Sequence, residues 1–236
     1  MSVGADRIAA RAEEVASARE LRRMALINRR DLLLSRGARA WPPRQVARAA
    51  PGVGQNRGMN VRHATLDDVD AVVGLAHSAY RGETSRAGWT TEADLLDGGR
   101  TDAPMVRGLI QAEGSVILVI DDQAEPGSLL ACCHLERRPD SAYLGLFAVR
   151  PGMQGRGVGS SLLAAAESLA RDWGLVRLEL TVLNHRPELL AWYERLGFEM
   201  TGHDTPFPYG DERFGIPRRP DLVLQGMAKR IAPGQD

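Results

Sequence analysis

The densest chemical signal in this 236-residue chain is the stretch Phe147-Ala148-Val149-Arg150-Pro151-Gly152-Met153-Gln154-Gly155-Arg156-Gly157-Val158-Gly159-Ser160. An apolar strand stops at a proline, which cannot donate to a sheet ladder, and a glycine-rich turn then opens a long helix. The first turn of a helix leaves backbone N–H groups unpaired, with the positive end of the helix dipole behind them. Such a turn suits a phosphate or pyrophosphate. Glycines let a ligand approach the backbone, and Gln154 and Arg156 are expected to add side-chain donors to anionic oxygens. Two other readings compete. A dinucleotide fingerprint needs three glycines, but Gly155 and Gly157 are followed by Ser160 at the third place, and the next strand ends at Asn184 rather than at an acid. The plain alternative is a strand-to-helix turn whose glycines serve sterics alone.

Carboxylates come next. Glu136 and Glu179 each interrupt an apolar strand, where an acid is costly unless it is paired or working. Both are therefore candidate general bases, and an ion pair with an arginine is the alternative for each. Cys132 and His134 share a strand face, but no third ligand or orienting acid stands at recognisable spacing, so they read as packed strand and no metal is expected. Cys132 and Cys133 are the only cysteines, and as neighbours on a strand they cannot staple distant parts of a fold. Lys229 is the one lysine among 30 basic residues, which removes the GxxxxGK[ST] phosphate loop and leaves a pyridoxal Schiff base only a lysine near the C-terminal end.

These residues must be positioned by an alternation of strands and helices that begins near Met59. A short strand at Asn60–His63 leads to Thr65, a predicted N-cap, and to a helix with the apolar stripe Val69, Val72, Val73, Ala76 and Tyr80. A second short helix is expected near Thr91–Leu96. Strands are expected at Val116–Ile120, Leu129–Leu135 and Ala142–Val149, then a helix from Gly157 to Trp173 closed by Gly174. Val176–Leu183 reads as a strand, Pro187–Leu196 as a helix with proline in its first turn, Gly202–Pro220 as a long loop, and Asp221–Ala228 as the last strand. The fold class is α/β (α+β), one sheet with one core.

Zero net charge conceals an asymmetry: residues 1–58 hold twelve Arg against five acids, so residues 59–236 carry −7. Residues 1–58 read as a basic helical extension over about Ala5–Arg36 followed by a Pro- and Gly-containing linker, and residues 59–236 as the folded domain. A basic arm can serve nucleic acid or an anionic membrane. Few aromatics and an acidic main domain disfavour nucleic acid, and no 18-residue apolar run suggests a membrane span. The expected address is the cytoplasm, since Asp6, Glu13 and Glu14 stand where a secretory signal needs an apolar stretch.

Gln154-Gly155-Arg156-Gly157-Val158-Gly159 resembles the acetyl-CoA signature Q/R-x-x-G-x-G/A of the GCN5-related N-acetyltransferase (GNAT) superfamily at every specified place. Downstream, Asn184 at a strand end and Ala191-Trp192-Tyr193-Glu194-Arg195-Leu196-Gly197-Phe198 resemble that family's second motif, a tyrosine-bearing helix that ends at a Gly-Phe pair. The resemblance covers Asn60 to about Arg230. It implies a mixed, mostly antiparallel central sheet flanked by helices. It also implies acetyl-CoA as acetyl donor, bound by Phe147, Ala148, Val149, Gln154 to Ser160, Asn184 and Tyr193. The pyrophosphate would sit on the turn and the pantetheine along the strand Leu144–Val149, splayed from Val176–Leu183. A backbone N–H near Phe147 or Ala148 would polarise the thioester carbonyl. Tyr193 falls on the family's tyrosine and is implied as the acid that protonates the leaving thiolate.

The same resemblance leaves the base open, because Tyr143 stands where some branches carry a glutamate. The reading is an N-acetyltransferase acting on a primary amine by direct attack. A non-catalytic acyl-CoA-binding module on the same fold is the alternative, and a homodimer is left open. The acids of Gly202–Pro220 and the domain's negative charge favour a cationic acceptor over an anionic one. Removing residues 1–58 is expected to leave a folded, acetyl-CoA-binding protein, because linker composition implies few contacts across it. A truncated chain that loses solubility or coenzyme binding in a thermal-shift assay would assign the extension a structural role instead.

Overall fold

The computed structural model describes residues 59–232, so the expected helix at Ala5–Arg36 and its linker lie outside the described residues. Strand β1 (Val61–His63) is followed by a 3-10 turn at Leu66–Asp68, where Thr65 and Asp68 form a reciprocal capping box. Helix α1 (Val69–Tyr80) then buries Val69, Val72, Leu75, Ala76, Ala79 and Tyr80 along one face. A single turn of helix, α2 (Gly82–Ser85), and the two-residue β2 (Leu96–Asp97) precede α3 (Ala103–Gln111). Three strands follow, β3 (Ser115–Asp121), β4 (Leu129–Arg137) and β5 (Ala142–Val149). Helix α4 (Val158–Asp172), β6 (Arg177–Leu183) and α5 (Pro187–Arg195) come next. The described chain closes with β7 (Glu199–Pro206), β8 (Ile216–Pro217) and β9 (Val223–Arg230).

Seven of these strands form one sheet in the order β1-β3-β4-β5-β6-β9-β7, antiparallel at every junction except the parallel β5–β6 pair; β2 and β8 pair separately. This is the mixed, mostly antiparallel sheet flanked by helices that the sequence resemblance implies. Its strands alternate apolar residues to both faces. In β3, Leu118 and Ile120 join the core under α4, with Val158, Leu162, Leu163 and Ala166. Ile117 and Val119 instead join the core under α1, with Val72, Leu75 and Ala76. Adjacent Cys132 and Cys133 divide between the same two cores, and both are free thiols. Burial raises the Cys132 thiol to about 12.

Two expectations are corrected. No helix forms over Thr91–Leu96. The Leu95 and Leu96 N–H groups both donate to the Glu92 carbonyl at 2.9 Å, a single turn, and Leu96 then pairs with Pro217 across the β2–β8 ladder. The helix of this region is α3, whose start was legible: Asp102 accepts from the Met105 N–H at 2.7 Å and proline stands in the first turn. Gly202–Pro220 is not one long loop, because β7 runs to Pro206 along the sheet edge. As an edge strand it is exposed at nearly every residue and carries no apolar alternation to read. Its irregular ladder with β9 depends on Gly226, where a Cβ would lie 2.5 Å from the His203 carbonyl oxygen.

His134 is almost fully enclosed. Ser115 Oγ donates to the Leu109 carbonyl at 2.6 Å and, having one proton, accepts from His134 Nε2–H at 2.8 Å. This chain of bonds ties β4 and β3 to α3. Desolvation depresses the His134 pKa to about 4. Below the ordinary imidazole pKa the unfolded chain therefore takes up a proton that the native protein refuses, and stability falls as pH drops from about 6.5 toward 4. His134→Gln is expected to lose about 2 kcal/mol less stability than wild type between pH 7 and pH 5 in urea unfolding. Equal acid slopes in the two proteins would contradict a buried neutral His134.

Candidate functional site

Strands β5 and β6 pair only at Ala142↔Leu178 and Tyr143↔Glu179 and then part. The Tyr143 hydroxyl and Thr181 Oγ1, 2.9 Å apart, span the opening at its closed end. On its other side β5 follows β4 in register except between Cys132 and His134, where Leu146 and Phe147 stand against a single residue, a bulge. Leu146 takes a left-handed φ of 43° there. The Tyr80 hydroxyl donates to the Phe147 carbonyl, fixing the bulge from α1. The cleft so made, about 170 Å³, has Gly145, Leu146 and Phe147 on one wall and Leu180, Thr181 and Val182 on the other. Beyond Tyr143 the β6-facing edge of β5 has no strand partner.

At the end of β5 lies the glycine turn. A 3-10 turn (Pro151–Met153) leads into Gly155 at φ 76° and Gly157 at φ 84°, left-handed values that other residues adopt only under strain. A Cβ at either glycine would meet nothing within 4 Å, so these two are required for backbone conformation and the space above them is open. Gly159 is different: a Cβ there would come within 3.4–3.6 Å of Trp192, Val149 and Phe147. Ser161 N–H makes the first helical bond, to the Gly157 carbonyl at 3.0 Å, so the amides of the turn before it lack intrahelical acceptors. Arg156 is exposed and forms no ion pair among the described residues.

The Gln154 side chain departs from the expectation of an anion donor. Its Nε2 donates to Val149 O at 3.1 Å and to Thr90 Oγ1 at 2.7 Å, and its Oε1 accepts from Trp89 N–H at 2.9 Å. Both amide protons are spent on clamping the turn to residues 88–90. Ala148, Val149 and Val158 point into the core, so only their backbone can meet a ligand. Asn184 is likewise engaged, donating to Asp221 O at 3.0 Å and accepting from Val223 N–H at 3.1 Å, and it does not line the cleft.

Tyr193, buried on α5, does line the cleft. Its ring sits edge-on to Trp192, Phe198 and Phe147 at centroid distances of 4.8, 5.3 and 6.4 Å. Burial pushes its phenol well above the ordinary tyrosine pKa, so it stays protonated. Gly197, at φ 88°, turns the chain so that Phe198 N–H bonds the Tyr193 carbonyl at 3.0 Å. The structure does not bring the two candidate bases here. Glu136 accepts twice from Arg138, and Glu179 accepts from Arg177 at 2.6 Å and Ser141 at 3.1 Å; neither lines the cleft. The acid that does is Glu92, which sequence reasoning missed. It lies between Arg81 and Arg186, partners 11 and 94 residues away, a grouping no local pattern announces.

The model of the Acetyltransferase (GNAT) family matches residues 73–198, more than half of the chain. The chain belongs to the GNAT family. Solved structures with the same fold include the ribosomal-protein-alanine N-acetyltransferase from Brucella melitensis, at 22% identity and TM-score 0.53 over 73% of this chain and 99% of that one. The ribosomal-protein-S18-alanine N-acetyltransferase from Escherichia coli aligns at 18% identity and TM-score 0.51 over 75% and 97%. An aminoglycoside 6'-N-acetyltransferase solved with coenzyme A aligns at 16% and 0.52 over 75% and 100%. At such identities the likeness is one of fold. No curated protein matches the sequence. The matched segment of this GNAT chain contains the sheet core, the glycine turn and Tyr193, and ends at Phe198. No helix among the described residues is long and apolar enough to cross a membrane.

Because Gln154 joins three backbone or hydroxyl groups, Gln154→Ala is expected to cost about 1–2 kcal/mol in thermal or urea unfolding and to speed proteolytic cleavage within residues 86–91. Unchanged melting and unchanged cleavage would remove the clamp from the account.

Proposed function

We propose that this GNAT-family protein is an acetyl-CoA-dependent N-acetyltransferase that modifies a primary amine by direct transfer. The observation that carries the reading is the parting of β5 from β6, which runs from the cleft beside Tyr193 toward the open amides of the Gly155–Ser160 turn. The residues present fit an acyl-CoA in two places. The turn offers unpaired N–H groups at a helix start, with free space above Gly155 and Gly157 and with Arg156 exposed beside it, as a pyrophosphate requires. The unpaired edge of β5 offers backbone groups to an extended, amide-containing arm.

Residues 155–160 bind and Gln154 holds them in place through its clamp. Strand β5 orients the thioester, with an N–H at Phe147 or Ala148 as the donor to its carbonyl oxygen. The acceptor must present a neutral nitrogen, a form that makes up only about one molecule in several thousand for a lysine-like amine at pH 7. Its nitrogen bonds to the acetyl carbon as the C–S bond breaks. Tyr193 supplies the proton that the sulfur takes up and regains one from solvent through the cleft, to which the nitrogen releases its own proton. Burial keeps the phenol protonated until the developing thiolate draws its proton. Glu136 and Glu179, each held by an arginine, are left to structure in this account, as is Asn184.

Acetyl-CoA is expected to stabilise the full chain by about 2.7 kcal/mol at a hundredfold excess over Kd, and Gly157→Val to lose that gain. With an amine identified by following thiol release, Tyr193→Phe should keep its affinity for acetyl-CoA while its single-turnover rate falls by roughly 10²–10⁴. A melting curve unmoved by acetyl-CoA would defeat the donor assignment. An unchanged rate in the Phe variant would leave Tyr193 as packing.

A further inference from the structure

The cleft carries a charge opposite to the one that overall composition suggests. Arg81, Glu92 and Arg186 are each at least nine-tenths buried, so two enclosed cations share one enclosed anion. Glu92 Oε2 accepts from Arg81 Nη1 at 2.5 Å and Oε1 from Arg186 Nη1 at 3.2 Å, which engages both of its oxygens. What remains is Arg81 Nε and Nη2 and Arg186 Nη2, buried donors without a partner. Burying a charged donor unpaired is expensive, and a ligand that brings acceptors to it would remove that cost.

Arg81 lines the cleft that Tyr193 lines, and Arg186 does not. The two orphaned atoms of Arg81 are not scattered. Nε and Nη2 make up one edge of the planar guanidinium, the fork whose parallel N–H bonds match the two oxygens of a carboxylate. That edge packs against a glycine: at Gly215, whose φ is 96°, a Cβ would lie 3.1 Å from Nη2. Arg100 lines the same cleft with its guanidinium 5.3 Å from the Tyr80 ring centroid and forms no ion pair among the described residues. Glu92 is the one acid on the cleft wall among the described residues, and it is already taken.

We propose that the acceptor is a small amine that also carries a carboxylate, of the α-amino acid class, with the carboxylate seated on the Nε–Nη2 edge of Arg81 and drawn by Arg100. This rests on the acetyl-transfer reading and names its substrate class. It also replaces the expectation of a cationic acceptor. The −7 charge of the domain is a sum over its surface, whereas the acceptor meets the local field of a low-dielectric cleft.

The test uses the full chain with coenzyme A, which cannot turn over, and titrates matched pairs by calorimetry: L-leucine against 3-methylbutylamine, L-phenylalanine against 2-phenylethylamine, L-methionine against 3-(methylthio)propylamine. The amino acid of at least one pair should bind about 10- to 100-fold more tightly than its decarboxylated partner. Arg81→Met should erase the difference while leaving acetyl-CoA affinity as it was. Should Arg81→Met fail to fold, Arg100→Met, at a half-buried position, should weaken the amino acid several-fold and leave the bare amine unaffected. Equal binding within every pair, or binding by no member, overturns the proposal. An equal loss of acetyl-CoA affinity in the arginine variants also overturns it, by assigning these arginines to the donor. Thiol release with acetyl-CoA, measured on the same compounds, reports separately on transfer. Carboxylate-dependent binding without release would refute acetyl transfer and keep the site, and equal release from both members of each pair would do the reverse.

Discussion

The two residue pairs that join β5 to β6 are the constraint on which the site depends. Every other junction in the sheet is antiparallel, and a parallel junction needs a crossover, here the glycine turn with α4. The crossover places a helix start at the C-terminal end of β5, and the bulge at Leu146 bends that strand away from β6 before it arrives. A full β5–β6 ladder would close the cleft, seal the free edge of β5 and drive Phe147 and Tyr193 into a continuous core. The sheet gives up strand pairing at its centre, and the two helical layers compensate by burying both faces of the remaining strands.

Rigidity around this opening comes from hydrogen bonds that cross elements rather than from length of strand. Tyr80 from α1 holds the Phe147 carbonyl, Gln154 from the turn holds the Val149 carbonyl and residues 89–90, and Tyr143 reaches Thr181 across the gap. Each ties one side of the opening to a neighbouring element. The aromatic cluster of Phe147, Trp192, Tyr193 and Phe198 then fills the volume between α5 and the sheet. Gly159 leaves room for Trp192 at the start of α4, so the turn and the tyrosine helix are packed as one unit.

Electrostatics in the cleft follows from enclosure. The same burial that keeps Tyr193 protonated makes the Arg81–Glu92–Arg186 group costly unless its remaining donors are met. In the proposed reaction one low-dielectric environment serves both a proton donor and an anion seat. Neither property belongs to a residue type alone. Arg86 and Arg219, exposed on the surface, pair with neighbouring acids and create no such site.

The sequence alone determined the elements whose signals are local. Proline, glycine and capping residues marked the ends of α4 and α5, apolar runs separated by turn residues marked β3, β4 and β5, and the glycine turn with the Tyr193 helix identified the GNAT family. It could not mark β7, because an edge strand exposed at nearly every position has no apolar period, nor the pairing of Leu96 with Pro217, residues over a hundred positions apart. Only the tertiary structure decided which polar residues face the cleft. Glu136, Glu179 and Asn184 sit where the sequence suggests chemistry, yet their partners lie within a strand end or across a ladder and satisfy them there. Arg81, Glu92 and Arg100 sit in a segment without periodicity, and the fold turns them inward. A strand or helix is written in neighbours a few residues apart, whereas a buried charge acquires its meaning from whatever distant groups the fold leaves beside it.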